Sequence, residues 1–253
     1  MYPEERQRWI LERLNDQGRI EVLEISAELG VTPETIRKDL THLETLGHLK
    51  RVHGGAVFIE KLRFEPGLGS RASAMQSAKE AIAARAVSEV PEGGSIILDA
   101  GSTTARRAAL LPQDRELMVV TDSVPIAAML ADAPALTVML IGGRLRSKTM
   151  ATVDSWALSA LAEIRVACAF MGANGISAQR GFTTADPSEA AVKRAMVNAA
   201  KKVVVLADHT KIGDEKFVKF ASSADVDLLI TSNGASALEV SDLEASGLKV
   251  VLA

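Results

Sequence analysis

Apolar residues at Ile36, Leu40 and Leu43 recur at intervals of four and three, which predicts a helix with one apolar stripe. Its other face carries Glu34, Arg37, Lys38, Thr41 and Thr45. Thr32 stands where a side-chain oxygen caps the first amides, and Pro33 takes the first helical position, where a missing amide costs nothing. Val31 and Ile36 form a hydrophobic staple across that cap, and Gly47 ends the helix. A short helix before it, closed by the Gly30–Val31 turn, offers Ile25 and Leu29 as the surface against which the stripe packs. Downstream, Leu49 to Val52 and Ala56 to Ile59 predict two strands around a Gly54–Gly55 turn. Helix, turn, capped helix and hairpin in this order make a winged helix-turn-helix, in which the second helix enters a DNA major groove and the hairpin touches the flanking backbone.

Candidate DNA contacts follow from that geometry: Thr32, Pro33, Glu34, Thr35, Arg37, Lys38 and Thr41 on the recognition helix, and Lys50, Arg51 and His53 on the wing. Taken alone, Arg37 and Lys38 read as an ordinary solvated helix face; the whole arrangement argues for DNA. Charge does not decide the matter, because residues 1–60 hold eight Lys or Arg against eleven Asp or Glu. The basic residues are local, Arg37, Lys38, Lys50 and Arg51 set against Asp39 and Glu44. His42, His48 and His53 cluster in the same region, but their spacing matches no zinc pattern, and no metal site is expected.

Residues 1–59 are therefore assigned to the DNA-binding domain. Pro66, Gly67, Gly69 and Ser70 lie in a stretch with little periodicity, so residues 60–75 are read as a linker and residues 76–253 as a second domain. In that domain the pattern becomes short apolar runs, Ser95 to Asp99, Leu117 to Thr121, Leu136 to Ile141, Val166 to Met171, Lys202 to Ala207, Asp227 to Thr231 and Lys249 to Leu252. Helical segments separate most of them: Gln76 to Val90, Thr103 to Leu111, Val124 to Leu130, Ser155 to Leu161 and Ser188 to Ala200. The alternation predicts an α/β domain with a mostly parallel, Rossmann-like sheet covered by helices on both faces.

Such a sheet binds ligands at the carboxyl ends of its strands. Polar residues and glycines collect there: Asp99, Gly101, Ser102, Thr103 and Thr104 after the first run, Thr121 and Asp122 after the second, Gly143 and Arg144 after the third. Gly172, Asn174 and Gly175 follow the next run and Asp208 and Lys211 the one after, while Glu189 and Lys193 lie one turn apart on a helix. Individually these are common caps, turns and a surface ion pair. At one sheet edge they favour a phosphorylated small molecule, held by free amides, hydroxyls and cations. No Gly-x-Gly-x-x-Gly opens the domain, so a dinucleotide is disfavoured and no cofactor is expected.

Over 253 residues the formal net charge is −3. No apolar run reaches the ~18 residues of a membrane span, and no signal-peptide core begins the chain, so a cytoplasmic protein without a membrane partner is expected. The single cysteine, Cys168, falls in an apolar run and reads as a buried, inert thiol.

Arg6 to Ile10, Val31 to Leu40 and Leu49 through Arg51-Val52-His53-Gly54-Gly55-Ala56 resemble the DeoR family of bacterial transcriptional regulators, which more often shows two arginines where this chain has Arg37-Lys38. Leu98 to Thr104, Val120 to Ser123, Ile141 to Arg146, Gly172 to Gly175, Gly181 to Thr184, Lys193 to Met196 and Ala207 to Lys211 extend the resemblance to the effector domain of that family. The resemblance implies a domain similar in fold to ribose 5-phosphate isomerase that senses a phosphorylated sugar or sugar derivative. Asp122 stands where the family usually has asparagine, Ser232 where aspartate commonly ends the strand, and Val153-Asp154 where glycine is frequent. A carboxylate at 122 would repel a phosphate unless it faces a sugar hydroxyl or Lys211.

Two classes of function compete. One is a regulator, most simply a repressor of sugar-metabolism genes released from operator DNA by a phosphorylated sugar; the same residues would serve a ligand-dependent activator. The other is a sugar-phosphate isomerase with an added DNA-binding domain, with Glu189 as base and Lys193 or Lys211 stabilising an enediolate. Isomerases of this fold carry acidic residues where this chain has Gly172-Ala173-Asn174-Gly175, and asparagine cannot accept and return a proton at neutral pH, which favours a non-enzymatic sensor. One helix-turn-helix reads a short half-site, so a homo-oligomer, at least a dimer, is expected.

Overall fold

The computed structural model describes residues 2–45, 48–52, 54–58, 65–112 and 114–253, which divide into units Met1–Ser70 and Arg71–Ala253. The first unit runs α1 (Pro3–Gln17), β1 (Arg19–Glu21), α2 (Val22–Leu29), α3 (Pro33–Thr45), β2 (Leu49–Val52) and β3 (Gly55–Phe58). Ile10 and Leu14 of α1, Val22 and Ile25 of α2, and Ile36, Leu40 and Leu43 of α3 close on Ile20, Leu49 and Ala56 to form its core. Helix α1, which the sequence reading passes over, thus completes the three-helix base that a helix-turn-helix needs. The start of α3 follows from its cap: the Thr35 amide donates to the Thr32 carbonyl and to Thr32 Oγ1.

Gly30 adopts φ 63°, ends α2 and turns the chain toward Thr32. Gly47, the expected helix end, lies outside the described residues, as do His53 and Ile59. The wing differs from expectation by one residue. Val52 pairs with Gly55 and Leu49 with Phe58, so position 54 belongs to the turn and Gly55 to the strand. Strand β1, also unforeseen, explains why: it pairs with β3, and a Cβ on Gly55 would sit 1.9 Å from the Ile20 carbonyl oxygen. Gly55 is required by close backbone approach, not by the turn.

Within the stretch read as a linker, α4 (Leu68–Ser73) forms a short helix that crosses the boundary between the units. The second unit continues with α5 (Gln76–Arg85), β4 (Gly94–Leu98), α6 (Ser102–Ala108), β5 (Leu117–Thr121), α7 (Val124–Leu130), β6 (Leu136–Leu140), β7 (Arg144–Arg146) and β8 (Ala151–Val153). Then follow α8 (Ser155–Ala162), β9 (Cys168–Met171), β10 (Gly175–Ser177), β11 (Gly181–Thr184), α9 (Pro187–Ala199), β12 (Val203–Leu206), β13 (Val218–Ala221), β14 (Leu228–Thr231), α10 (Ala237–Ala245) and β15 (Val250–Leu252).

Seven strands form one sheet in the order β15-β14-β12-β9-β4-β5-β6, and every pairing is parallel. Alternate side chains feed two cores. Ile97, Ala169, Met171 and Val205 pack with α8 and α9 on one face, whereas Ile96, Leu98, Phe170 and Val204 pack on the other with Ile82 of α5 and Ile126 of α7. From β4 the chain steps one way to β5 and β6, and later the other way from β9 to β12, β14 and β15. The crevice between the carboxyl ends of β4 and β9 is the switch point at which open α/β sheets hold ligands. The hairpin β7–β8 and the antiparallel sheet β10-β11-β13 are additions that the sequence pattern does not reveal.

Candidate functional site

On the first unit, Glu34, Arg37, Lys38, Thr41 and Arg51 line a shallow depression of about 290 Å³ where α3 meets β2. Arg37 Nη1 donates to Glu34 Oε2 at 3.2 Å, one turn away. The wing is fastened to the helix at two points: the Arg51 amide donates to Glu44 Oε1 (2.7 Å), and Arg51 Nη1 donates to Thr41 Oγ1 (2.9 Å). Helix face and wing therefore present one continuous surface, polar and exposed, with Lys38 unengaged in any ion pair recorded among the described residues. Thr35 is partly occupied, its hydroxyl 2.9 Å from that of Thr32. His53 and the Lys50 side chain, both proposed as wing contacts, lie outside the described residues.

Asp39 is not part of that surface. It is buried and receives Arg6 Nε at 2.5 Å, Arg6 Nη2 at 3.2 Å and Gln7 Nε2 at 3.1 Å, which ties the recognition helix to α1. Removing one partner of a buried pair leaves an uncompensated charge. Arg6→Ala is expected to destabilise the winged helix-turn-helix by about 3 kcal/mol, read by denaturant unfolding; a change within error of zero contradicts the role given to this pair.

On the second unit, two clusters lie at the carboxyl edge of the sheet, one across the switch point and one at the end of β12. In the first, Lys193 of α9 donates to Asp99 Oδ2 and to the Gly172 carbonyl oxygen, and the Gly172 amide donates to the same Asp99 oxygen at 2.7 Å. The ends of β4 and β9 are thereby joined through one buried ion pair. Asp122 is buried beside them, and its Oδ1 accepts the Ala100 amide at 2.9 Å, holding the loop that leads into α6. Glu189, one turn before Lys193, accepts Arg146 Nη1 at 3.0 Å and the Thr149 hydroxyl. Thr184 links Glu189 to Asn174 Oδ1, at 3.5 and 3.0 Å. Asp186 caps α9 through the Glu189 amide and also meets Arg146 Nε at 3.2 Å.

Glu189 and Lys193 are accordingly not the exposed ion pair that their spacing also allows; each is buried and has its own partner on a different element. Burial pulls the Lys193 ammonium down, but Asp99, Glu189 and Asp122 outweigh it and hold the pKa above the ordinary lysine value. Burial pushes the Asp122 carboxyl well above the usual carboxylate range, and Asp99 and Glu189 push the same way. The upward shift lowers the cost of an anion beside Asp122 relative to an ordinary carboxylate.

The second cluster is cationic. Lys79 of α5 is buried, with its ammonium 4.0 Å from Asp208 Oδ2 at the end of β12. Burial lowers its pKa to about 8; Asp208 resists, while Lys211, Arg106 and Arg71 add to the lowering, so several positive charges converge here. Asp208 accepts the Thr210 amide (3.2 Å) and hydroxyl (2.5 Å), and Lys211 Nζ donates to that hydroxyl at 3.0 Å. Ser102 and Thr103 stand in the first turn of α6, whose Arg106 belongs to the same group.

Several expected contacts serve the backbone instead. Thr104 Oγ1 donates to the Gly101 carbonyl (3.0 Å), and Thr121 Oγ1 donates to Leu98 O (2.6 Å) while accepting the Ser123 amide (3.1 Å). A Cβ on Gly143 would lie 2.4 Å from the Val153 carbonyl oxygen, and one on Gly175 2.6 Å from that of Asp214. Arg144 turns outward: its side chain is 61% exposed and its Nε is 2.6 Å from Asp154 Oδ2. Arg146, two residues on, turns inward to Glu189 and Asp186.

Lys79, Arg106 and Thr149 were not anticipated, and Arg146 and Thr184 enter the sequence reading only within motifs that carry the family resemblance. A signal existed for Lys79, which falls in register with Ile82 and Ala83 on the buried face of α5. Cys168 is buried, and burial pushes its thiol up to about 12, away from the thiolate that nucleophilic chemistry needs.

A DeoR-like helix-turn-helix domain matches residues 6–62, and a DeoR C-terminal sensor domain matches residues 74–233. The chain belongs to the DeoR family of transcriptional regulators. It is 38% identical to the HTH-type transcriptional regulator GlpR of Haloferax volcanii, over 99% of this chain and 98% of that protein. It is 34% identical to the HTH-type transcriptional repressor GlcR of Bacillus subtilis (91% and 89%) and 28% identical to the glycerol-3-phosphate regulon repressor of Escherichia coli (90% of each). Ribose 5-phosphate isomerase A of Methanocaldococcus jannaschii aligns with 53% of the chain and 52% of its own at 19% identity and a TM-score of 0.39. Among the described residues no helix is long and apolar enough to cross a membrane.

Proposed function

We propose that this DeoR-family regulator is a cytoplasmic repressor of sugar-metabolism genes that binds operator DNA as a dimer or larger oligomer and leaves it when a phosphorylated sugar occupies the second unit. The observation that carries the reading is the group of cations at the end of β12, one strand away from the polar cluster that joins the ends of β4 and β9. Lys79, Arg106 and Lys211 suit a phosphate, while Asp99, Asn174 and Glu189 suit hydroxyl groups. Two relatives are named as repressors, one of them for glycerol-3-phosphate, which agrees with such a ligand.

Binding without turnover is the better-supported chemistry. A catalytic base must be able to take a proton from its substrate, yet Glu189 is held by Arg146 and Thr149. The reading places Arg37 at base edges and Lys38, Lys50 and Arg51 at phosphates, with paired recognition helices about 34 Å apart. Lys211→Ala is expected to raise the sugar-phosphate concentration needed for operator release by about tenfold, the worth of one charged phosphate contact. An unchanged release curve in that variant removes Lys211 from the site, and aldose–ketose interconversion abolished by Glu189→Gln would make the protein an enzyme.

A further inference from the structure

Lys79 of α5, 4.0 Å from Asp208, and Arg106 of α6, whose charge acts on Lys79, also reach backbone carbonyls. Lys79 Nζ donates to the carbonyl oxygens of Arg71 (2.5 Å) and Ala74 (2.6 Å), and Arg106 Nη2 donates to that of Ala72 (2.9 Å). Those carbonyls belong to the end of α4 and the turn after it, where a helix leaves its last carbonyls without intrahelical donors. The turn is strained: Met75 sits at φ 53°, a left-handed conformation that side chains with a Cβ rarely adopt. Two buried or half-buried cations thus hold down a strained segment, and that segment crosses from one unit into the other.

We propose that Lys79 and Arg106 are a latch: without effector they clasp the Arg71, Ala72 and Ala74 carbonyls, and an effector phosphate at the Asp208 cluster draws them away, freeing the connection to the DNA-binding unit. This rests on the sugar-phosphate reading of the site and supplies its transmission step. A dianionic phosphate is a stronger partner for an ammonium or guanidinium than a neutral carbonyl, so the exchange runs downhill when phosphate arrives. The groups that face Lys79 are Asp208, Lys211, Arg106 and Arg71; three of the four are positive, so Lys79 gains further from an added anion. Arg106 has an acidic neighbour in Glu80, at 3.9 Å. Lys79 and Arg106 are positioning residues for the connection as well as candidates for phosphate contact, and the two roles predict different phenotypes. Loss of a phosphate contact alone gives a repressor that binds DNA and ignores inducer. Loss of the latch gives a repressor that behaves as though induced.

The test uses the full-length protein and limited trypsin digestion, with the fragment cut after Arg71 identified by mass, since cleavage there requires local opening. Lys79→Met and Arg106→Gln are each expected to raise the rate of that cut several-fold without any ligand, and to weaken operator binding by about tenfold. Lys79→Arg, which keeps a donor, restores most of both. Inorganic phosphate, compared with sodium chloride at equal ionic strength, accelerates the cut in the wild type and has a smaller effect in the two variants. Unchanged cleavage after Arg71 in both variants overturns the latch, as does phosphate that leaves wild-type cleavage unaltered. Operator release by a sugar phosphate with no change at Arg71 overturns the latch alone and leaves the sensor reading intact. Latch variants that open Arg71 in a protein that no sugar phosphate releases from DNA overturn both.

Discussion

Arg37→Ala combined with Lys38→Ala is expected to lower operator affinity by about a hundredfold and to flatten its dependence on salt by about one unit of slope. Both residues sit on the exposed face of α3, within the depression that Thr41 and Arg51 also line, and neither contributes to the buried core of its unit. The fold therefore survives the change, and the loss belongs to DNA contacts. The two residues divide the effect. Arg37 is planar, has its guanidinium oriented by Glu34, and suits the bidentate pairing to a guanine edge that carries sequence information. Lys38 is a point charge suited to a phosphate, which adds affinity without preference. Arg37→Ala alone should relax discrimination among operator variants, and Lys38→Ala alone should weaken all of them alike. Equal affinity and an unchanged salt slope in the double variant would remove the recognition role from this face.

Lys193→Met is expected to have the largest effect in the second unit: a loss of about 3–5 kcal/mol in unfolding free energy together with loss of response to effector. Lys193 is buried, joins Asp99 to the Gly172 carbonyl, and lies 5.5 Å above the Phe220 ring. Methionine keeps the packing and removes the charge, leaving Asp99 buried without its cation. The pH dependence follows with a definite sign. In the wild type the raised Lys193 pKa contributes stability that is fully present below the unfolded value near 10.4 and is lost only as pH rises through the folded value. In Lys193→Met that contribution is absent, so the variant lacks the decline in stability that the wild type shows as pH rises above ~10.4. Unfolding of Lys193→Met and of Lys193→Met/Asp99→Asn, measured across that range, checks this. The double variant should recover part of the loss, because it removes the carboxylate left without its cation; additive losses would mean that the pair is not coupled.

The difference between what periodicity reveals and what it hides is physical. Helix α3 was legible because cap, proline and apolar stripe agree, and the parallel strands because buried strands are continuous apolar runs. Strands β7, β8, β10 and β11 are three or four residues long and rich in Gly, Thr, Ser and Arg, so no apolar run marks them. Yet they bring Arg146, Thr149 and Thr184 to Glu189. The wing turn was misplaced because the demand on Gly55 comes from β1, more than thirty residues earlier. Asp39 reads as a surface charge in isolation, and its burial depends on Arg6 and Gln7 in another helix. In each case the deciding partner is distant along the chain. For the candidate site, the strand-end rule points to Asp99, Asp122, Gly172, Asp208 and Lys211, but periodicity does not say which side chains turn inward, as Arg146 does and Arg144 does not.

The central claim, that a sugar phosphate bound to the second unit controls DNA binding by the first, is tested most directly by fluorescence anisotropy of the full-length protein on DNA from its own upstream region. Salt is held fixed, and hexose, pentose, triose and amino-sugar phosphates are added in turn. The account predicts tight binding that one phosphorylated compound reverses, with its unphosphorylated sugar inactive. Tight binding that no phosphorylated compound weakens would contradict it.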